Sequence, residues 1–109
     1  MRKGDYLGQF ELMVLLALMR LADDAYGVTI AQELERQTGR EVVIASVYAT
    51  LERLQDRGLV SSSLGDATPE RGGRAKRYFQ ITGAGLSEVR DARRSLISLW
   101  KGLPELKGQ

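Results

Sequence analysis

The stretch from residue 44 to residue 64, IASVYATLERLQDRGLVSSSL, decides the fold because a helical pattern ends within it and a strand-like pattern begins. Gly58 is a typical stop signal for the helix. The run from Leu59 to Leu64 is β-prone and predicts a strand. Apolar residues recur at steps of three, four and three along the helical part, and we expect them to be buried: Ile44, Val47, Leu51 and Leu54.

Two further helices are predicted upstream of this stretch. Phe10–Leu21 (FELMVLLALMRL) is apolar almost all round, which indicates a helix buried on more than one face. It is either a central core helix or one that also lines a subunit interface. Tyr26–Gly39 predicts the second helix, which ends at the glycine. Its outer face is assigned to four polar residues: Gln32, Glu33, Glu35 and Arg36.

A hairpin is predicted downstream of the strand. Gly65–Lys76 (GDATPERGGRAK) has the Gly-, Pro- and charge-rich composition of an exposed loop. Arg77–Ile81 (RYFQI) then predicts a second strand.

The chain closes with a charged helix predicted from Gly83 to Leu103, with Thr82 as its N-cap. Glycines at 83 and 85 weaken its first turn. Its apolar residues fall at three- and four-residue steps when Arg93 is counted in the row. The stripe either packs back on the same chain or forms a dimer seam. We predict the seam, formed by Leu86, Val89, Leu96, Trp100 and Leu103.

The order helix–helix–helix–strand–loop–strand–helix predicts a mainly α fold with a small β-hairpin, a winged helix-turn-helix followed by a C-terminal dimerisation helix. We divide the chain accordingly into residues 1–82, a DNA-binding domain, and residues 83–109, the dimerisation helix.

Composition excludes several classes of function. The 109 residues include no Cys and no His, which removes disulfides, thiolate nucleophiles, His-based catalysis and the commonest zinc ligands. We therefore expect neither an enzyme nor a bound metal or cofactor. No apolar run approaches the roughly 20 residues that span a bilayer. The first residues also lack a signal-peptide pattern, so a cytoplasmic protein without membrane contact is expected.

The third helix is a candidate reader of DNA. Its predicted outer face is small near the start, with Ser46, Ala49 and Thr50, and cationic further along, with Arg53 and Arg57. Small residues let a helix approach a major groove, and Arg53 could reach bases or phosphates. Tyr48 stands on the shoulder, from which its hydroxyl could meet a phosphate. The alternative is an ordinary surface helix, since Glu52 and Asp56 balance the two arginines.

The predicted hairpin loop concentrates positive charge although the net charge of the chain is only +2. Arg71, Arg74, Lys76 and Arg77 place four cations within seven residues, beside the Gly72-Gly73 pair. Such a tip can approach a sugar–phosphate backbone or a minor groove. The alternative is a solvated turn whose charges only keep the hairpin soluble.

Three runs resemble the PadR family of bacterial transcriptional regulators: AYGVTIAQEL (25–34), SVYATLERLQDRGLV (46–60) and ERGGRAKRYFQITGAG (70–85). The single short C-terminal helix resembles the small subgroup of the family. The resemblance implies a repressor that binds a dyad-symmetric operator in double-stranded DNA. It also implies a homodimer, built through the last helix with help from the first, and small-molecule effectors for some members.

Residue by residue, the resemblance assigns DNA binding to eight positions: Tyr26, Ser46, Tyr48, Thr50, Arg53, Arg74, Lys76 and Arg77. Two positions depart from the family pattern. Ala49 stands where many members have proline or arginine, and Gly83 stands where proline often follows the threonine. The rival interpretation is a winged-helix module that docks protein and does not bind DNA.

Trp100 has two interpretations. Some relatives bind planar aromatic drugs through a tryptophan on the last helix at the dimer interface, about one turn earlier. Trp100, with Leu96, is therefore a candidate site for a small aromatic effector. The alternative is an aromatic side chain that only fills the dimer seam.

Overall fold

The computed structural model describes residues 6–65 and 75–104 and has the predicted order of elements. The helices are α1 (Gln9–Leu21), α2 (Gly27–Thr38), α3 (Ile44–Asp56) and α4 (Gly83–Trp100), with a 3-10 turn at Ala22–Asp24. Strands β1 (Val60–Leu64) and β2 (Arg77–Ile81) pair antiparallel, with Val60 opposite Ile81 and Leu64 opposite Arg77. The winged helix-turn-helix prediction is confirmed.

The core lies between α1, α2 and α3 and is closed by the hairpin and the start of α4. The central position predicted for α1 is confirmed, because Val14, Leu15, Ala17 and Leu18 are all buried. The backbone N–H of Phe79 donates to the carbonyl of Ala25 (2.9 Å), so β2 is fixed to the turn before α2. The buried apolar cluster comprises Val14, Leu15, Ala17, Leu18, Ala25, Ile30, Ala31, Leu34, Val47, Leu51, Leu54, Leu59, Val60, Phe79 and Val89.

Two glycines end helices as predicted. Gly39 (φ 71°) follows α2 and Gly58 (φ 76°) follows α3, both in the left-handed region that suits glycine. The last helix stops earlier than predicted. It ends at Trp100 rather than Leu103, and Gly102 (φ 83°) turns the chain away.

The start of α4 is joined closely to the end of α3. Thr82 is the N-cap, as predicted, and its hydroxyl accepts the N–H of Gly85 (3.1 Å) and donates to the carbonyl of Gly58 (2.7 Å). A Cβ atom on Gly85 would lie 2.3 Å from the carbonyl oxygen of Leu59. Gly85 therefore weakens the helix locally but permits this close contact, whereas Gly83 faces open space.

The buried face of α3 is rotated from the predicted one. Ile44, predicted to be buried, is 41% exposed, and Thr50, predicted to face outward, is 1% exposed. At 100° per residue, Thr50 falls in the same sector as Val47, Leu51 and Leu54. The hydroxyl of Thr50 accepts a hydrogen bond from Arg53 (3.1 Å), which satisfies a polar group that would be costly to bury alone.

Glu33 was expected on the outer face of α2 but is buried. Its carboxylate accepts hydrogen bonds from Gln37 (2.9 Å), from Arg20 of α1 (2.7 Å) and from Arg36. These donors, Gln37 first and then the two arginines, lower the pKa of Glu33 from 4.5 to about 2. The cluster ties α1 to α2.

Candidate nucleic-acid interface

The outermost residues at the start of α3 are small. Ala45, Ser46 and Ala49 are exposed there, and Glu52 and Asp56 occupy the outer face one and two turns later. A helix with small side chains at its N-terminal end can enter a major groove closely. Ser46 is thus placed where the sequence predicted, and Ala45 joins it through the rotation of the buried face.

Thr50 does not share this surface. Its side chain is buried and its hydroxyl accepts from Arg53, so the outward position predicted for Thr50 is wrong. The error arises because threonine is polar in sequence but can occupy a core position when its hydroxyl finds a partner.

Arg53 is turned toward the first helix. Its Nε lies 3.7 Å from Oε2 of Glu11, and its side chain is 58% exposed. Arg57, at the C-terminal end of α3, lies 3.6 Å from Oε1 of Glu11 and 3.9 Å from Oε1 of Glu88 on α4. The two arginines of the predicted outer face are therefore balanced by carboxylates of neighbouring helices.

Tyr48 packs over the start of α2. A Cβ atom on Gly27 would lie 2.3 Å from the Cζ and hydroxyl oxygen of Tyr48, so the absence of a side chain at 27 makes room for the ring. Tyr48 remains 41% exposed. Glycine at 27 therefore has a packing reason, and the tyrosine stays at the shoulder of α3 as predicted.

The base of the wing is an aromatic and cationic cluster. Lys76 Nζ donates to the hydroxyl of Tyr26 (3.1 Å) and lies 4.2 Å from its ring centroid. The ring of Tyr78 meets that of Tyr26 edge-on, with centroids 5.6 Å apart. A Cβ atom on Gly65 would lie 2.6 Å from the Tyr78 ring, so Gly65 leaves space for this packing.

Tyr78 and Gly65 were not predicted as part of this surface. The alternation of Arg77, Tyr78 and Phe79 along a strand puts Tyr78 on the face opposite Phe79, and that was the available signal.

Arg77 lies along the hairpin. Its Nε and Nη2 donate to the hydroxyl of Ser62 on β1 (3.2 and 3.1 Å), and its guanidinium carbon lies 5.8 Å from the Phe79 ring centroid. Both cations are thus held at the wing base, Lys76 against Tyr26 and Arg77 beside Ser62 and Phe79. Arg71 and Arg74 fall outside the described residues.

A second surface is apolar and lies between α1 and the C-terminal half of α4. It is an open groove of about 640 Å³ lined by Leu12, Leu16, Val89, Arg93, Leu96, Ile97, Trp100 and Lys101. We call it the α1–α4 groove. Trp100 is 67% exposed, and Leu99 and Leu103 beside it are also exposed.

The predicted seam divides within α4. Val89 packs in the core of its own chain, Leu86 is half-buried, and Leu96, Trp100 and Leu103 are exposed. Val89 therefore packs back on its own chain, which was the alternative interpretation of the stripe, and the dimer seam through the other positions stays a prediction. The prediction also missed Leu12 and Leu16, which supply the α1 side of the groove.

The model of the Transcriptional regulator PadR-like family matches residues 15–91, most of the described helices and the hairpin. The chain belongs to the PadR-like family of transcriptional regulators. The resemblance seen in the three sequence runs is confirmed, and PadR-like proteins are DNA-binding regulators rather than enzymes.

The chain is also similar to individual relatives and solved structures. The chain is 30% identical over 95 residues to uncharacterized protein X of Lysinibacillus sphaericus, covering 85% of this chain and 80% of that one. A PadR-like transcription factor from Bacteroides fragilis superposes with a TM-score of 0.74 at 26% identity, covering 86% of this chain and 85% of that one. RosR of H. salinarum superposes with a TM-score of 0.72 at 27% identity, covering 94% and 84%.

No helix within residues 6–65 and 75–104 is long and apolar enough to cross a membrane. Within the same ranges, no group of three or more acidic side chains is placed to hold a metal ion.

Proposed function

We propose that this PadR-like chain is a cytoplasmic repressor that binds, as a homodimer, a dyad-symmetric operator in double-stranded DNA. The observation that carries the proposal is that the start of α3 and the cationic base of the wing meet at the start of α2. Tyr48 of α3 packs on Gly27, and the hydroxyl of Tyr26 accepts a hydrogen bond from Lys76. A groove-entering helix beside a backbone-binding hairpin is the arrangement by which winged helices bind DNA.

In this proposal the residues divide by role. Ala45, Ser46 and Ala49 approach base edges in the major groove, and Tyr48 meets a phosphate at its rim. Lys76 and Arg77 bind flanking phosphates, with Tyr26 holding the lysine in place. Arg74, outside the described residues, is proposed to join them. Thr50 is left out because it is buried.

The dimer is proposed to form through the α1–α4 groove. Leu16, Leu96 and Trp100 are exposed and contiguous with Leu99, and such a surface favours a partner over water. Residues 83–109 then act as the dimerisation segment and residues 1–82 as the DNA-binding domain. Two recognition helices related by a two-fold axis would meet half-sites about one DNA turn apart, or a multiple of it.

The test is fluorescence anisotropy on a labelled duplex from upstream of the protein's own gene, with a scrambled duplex as control, over a series of salt concentrations. Lys76→Ala and Arg77→Ala should each weaken binding to both duplexes and reduce the salt slope by about 1 per lost phosphate contact. Arg94→Ala on α4 removes a cation far along the chain from the wing and should leave the slope unchanged.

Preference for the upstream duplex together with a wing-dependent slope would support a self-regulating repressor. Equal and salt-steep binding to both duplexes would keep the DNA-binding role and place the operator elsewhere. Folded protein that binds neither duplex at low salt would contradict the proposal and favour a protein-docking module.

The proposal also includes a small aromatic effector that releases the protein from DNA. The α1–α4 groove presents Trp100 and Leu96 beside Arg93 and Lys101, a surface on which a planar ring could stack. A planar dye should then quench Trp100 fluorescence saturably, and Trp100→Ala should abolish dye binding. Absence of quenching at tens of micromolar dye would leave Trp100 as a seam residue alone.

A further inference from the structure

The carboxylate of Glu11 lies between α1 and α3, and two arginines of α3 turn toward it. Oε2 lies 3.7 Å from Nε of Arg53, and Oε1 lies 3.6 Å from Nη1 of Arg57. Oε1 also accepts the backbone N–H of Gly8 (2.8 Å) at the start of α1. The side chain of Glu11 is 15% exposed, so it is held in place by its own helix end.

Two contacts hold the side chain of Arg53, but they do not bury it. Its Nε faces Glu11 and its Nη2 donates to Thr50, which leaves further guanidinium donors for another partner. More than half of its side chain remains accessible. Arg53 thus stands on the flank of α3 with its charge partly neutralised by a carboxylate that belongs to another helix.

A DNA phosphate and Glu11 are both anions that a guanidinium can bind. Any phosphate that approaches Arg53 also approaches the fixed negative charge of Glu11, which opposes it. We propose that Glu11 is a positioning residue that competes with the DNA backbone for Arg53 and so limits the affinity of α3 for DNA of any sequence. This inference rests on the proposed function, since it requires that α3 bind DNA.

Glu88 provides a matched control. It lies 3.9 Å from Nη2 of Arg57, on the α4 side, and pairs with that arginine. Glu88→Gln therefore removes the same charge from the same cluster while leaving the pair between Glu11 and Arg53 in place.

The experiment compares Glu11→Gln with the unmodified full chain on a scrambled duplex, by anisotropy over a series of salt concentrations. Glutamine can still accept from Gly8, since either residue serves at this position of a helix start. We expect binding to tighten roughly two- to fivefold per recognition helix, the strength of a part-exposed ion pair. The salt slope should steepen by about 1 per helix as Arg53 becomes a phosphate ligand.

A double-mutant cycle separates this effect from a general change in charge. In the Arg53→Gln background, Glu11→Gln should no longer raise the affinity for DNA. Glu88→Gln should either leave the affinity unchanged or raise it by an amount that Arg53→Gln does not alter. A gain from Glu11→Gln that survives Arg53→Gln would overturn the inference. So would equal affinity and slope for Glu11→Gln and the unmodified chain when both bind DNA.

A measurement on the unmodified protein protects the test against loss of folding in the variant. The Arg53 Nε–H resonance should shift when scrambled duplex is added, and an unmoved resonance at saturating DNA would overturn the inference. Failure of the unmodified chain to bind any duplex at low salt would instead overturn the proposed function, and this inference with it.

Discussion

Helices α3 and α4 both present an uncovered face to solvent, but the two faces are built differently. The face of α3 is small and polar at its start, and its arginines are paired with carboxylates of other helices. The C-terminal half of α4 is apolar, with Leu96, Ile97, Leu99 and Trp100 exposed. A polar face is stable in water and can exchange one charged partner for another, whereas an apolar face gains most from being covered.

The contrast between a covered and an uncovered surface also holds within α4, because Gly85 in its first turn packs against the backbone of Leu59. Gly85→Ala should lower the free energy of unfolding by about 3 kcal/mol, because the new Cβ would overlap the carbonyl oxygen of Leu59. Thermal unfolding followed by circular dichroism would measure the loss. Gly83→Ala is the matched control and should be neutral or stabilising by up to about 1 kcal/mol, since it adds a methyl group to open space. Equal melting temperatures for the two variants would contradict the packing argument.

The far half of α4 should respond in association rather than in folding. Leu96→Glu should weaken the proposed dimer by about 2 kcal/mol, roughly thirtyfold in the dissociation constant. The substitution removes a leucine side chain that the proposed dimer would bury. Sedimentation velocity across a concentration series would measure this. Ser95→Glu adds the same charge at an exposed neighbour and should change association little. Identical sedimentation of both variants would remove α4 from the interface.

On α3, substitution of the exposed Ser46 and of the buried Thr50 should distinguish an effect on DNA binding from an effect on stability. Ser46→Val should weaken duplex binding by about 1 kcal/mol if its hydroxyl meets DNA, with little change in melting temperature. Thr50→Val, at an interior position of the same helix, should leave DNA binding nearly unchanged. Anisotropy and thermal melting on the two variants would decide. Loss of DNA affinity in the Thr50 variant alone would reverse the assignment of the two faces.

A pH-dependent effect is expected at the ion cluster between α1 and α2, which lies within a single chain. The pKa of Glu33 is lowered to about 2, so its charged form stabilises the fold fully above its ordinary value of 4.5. That contribution is lost as the pH falls from about 4.5 toward 2. Melting temperatures across this range should fall less steeply for Glu33→Gln than for the unmodified chain. Glu41→Gln, at an exposed site, is the control, and an unchanged slope for Glu33→Gln would contradict the assignment.

Local pattern predicted the order of elements and several of their ends, because Gly39, Gly58 and Thr82 act on their immediate neighbours, but it placed the end of α4 at Leu103 instead of Trp100. It failed where a polar side chain satisfies itself inside the protein. Thr50 and Glu33 were both expected outside, and both are buried with hydrogen-bond partners. The polar character of a residue does not show whether the tertiary structure will supply a hydrogen-bond partner that allows it to be buried.

The candidate interface was predicted in part for the same reason. Ser46 and Tyr48 lie at the exposed start of α3 and Lys76 and Arg77 at the wing, and their assignment to DNA binding stays a prediction. The pairing of Arg53 with Glu11 joins residues 42 positions apart. The sequence pattern around Arg53 or Glu11 does not predict that contact. An interface role for α1 was left open by its sequence, but Leu12 and Leu16 were not singled out because they lie in a helix that is apolar almost all round.

The junction at Thr82 has a geometric consequence. Because Thr82 bonds to Gly58 and Gly85 sits against Leu59, α4 is clamped at one end to the turn that follows α3. Its 18 residues form a lever about 27 Å long. A tilt of α4 by about 5° about its Thr82 end moves Trp100 by about 2 Å. A displacement of that size at Trp100 therefore corresponds to only a small rotation at the turn between α3 and β1.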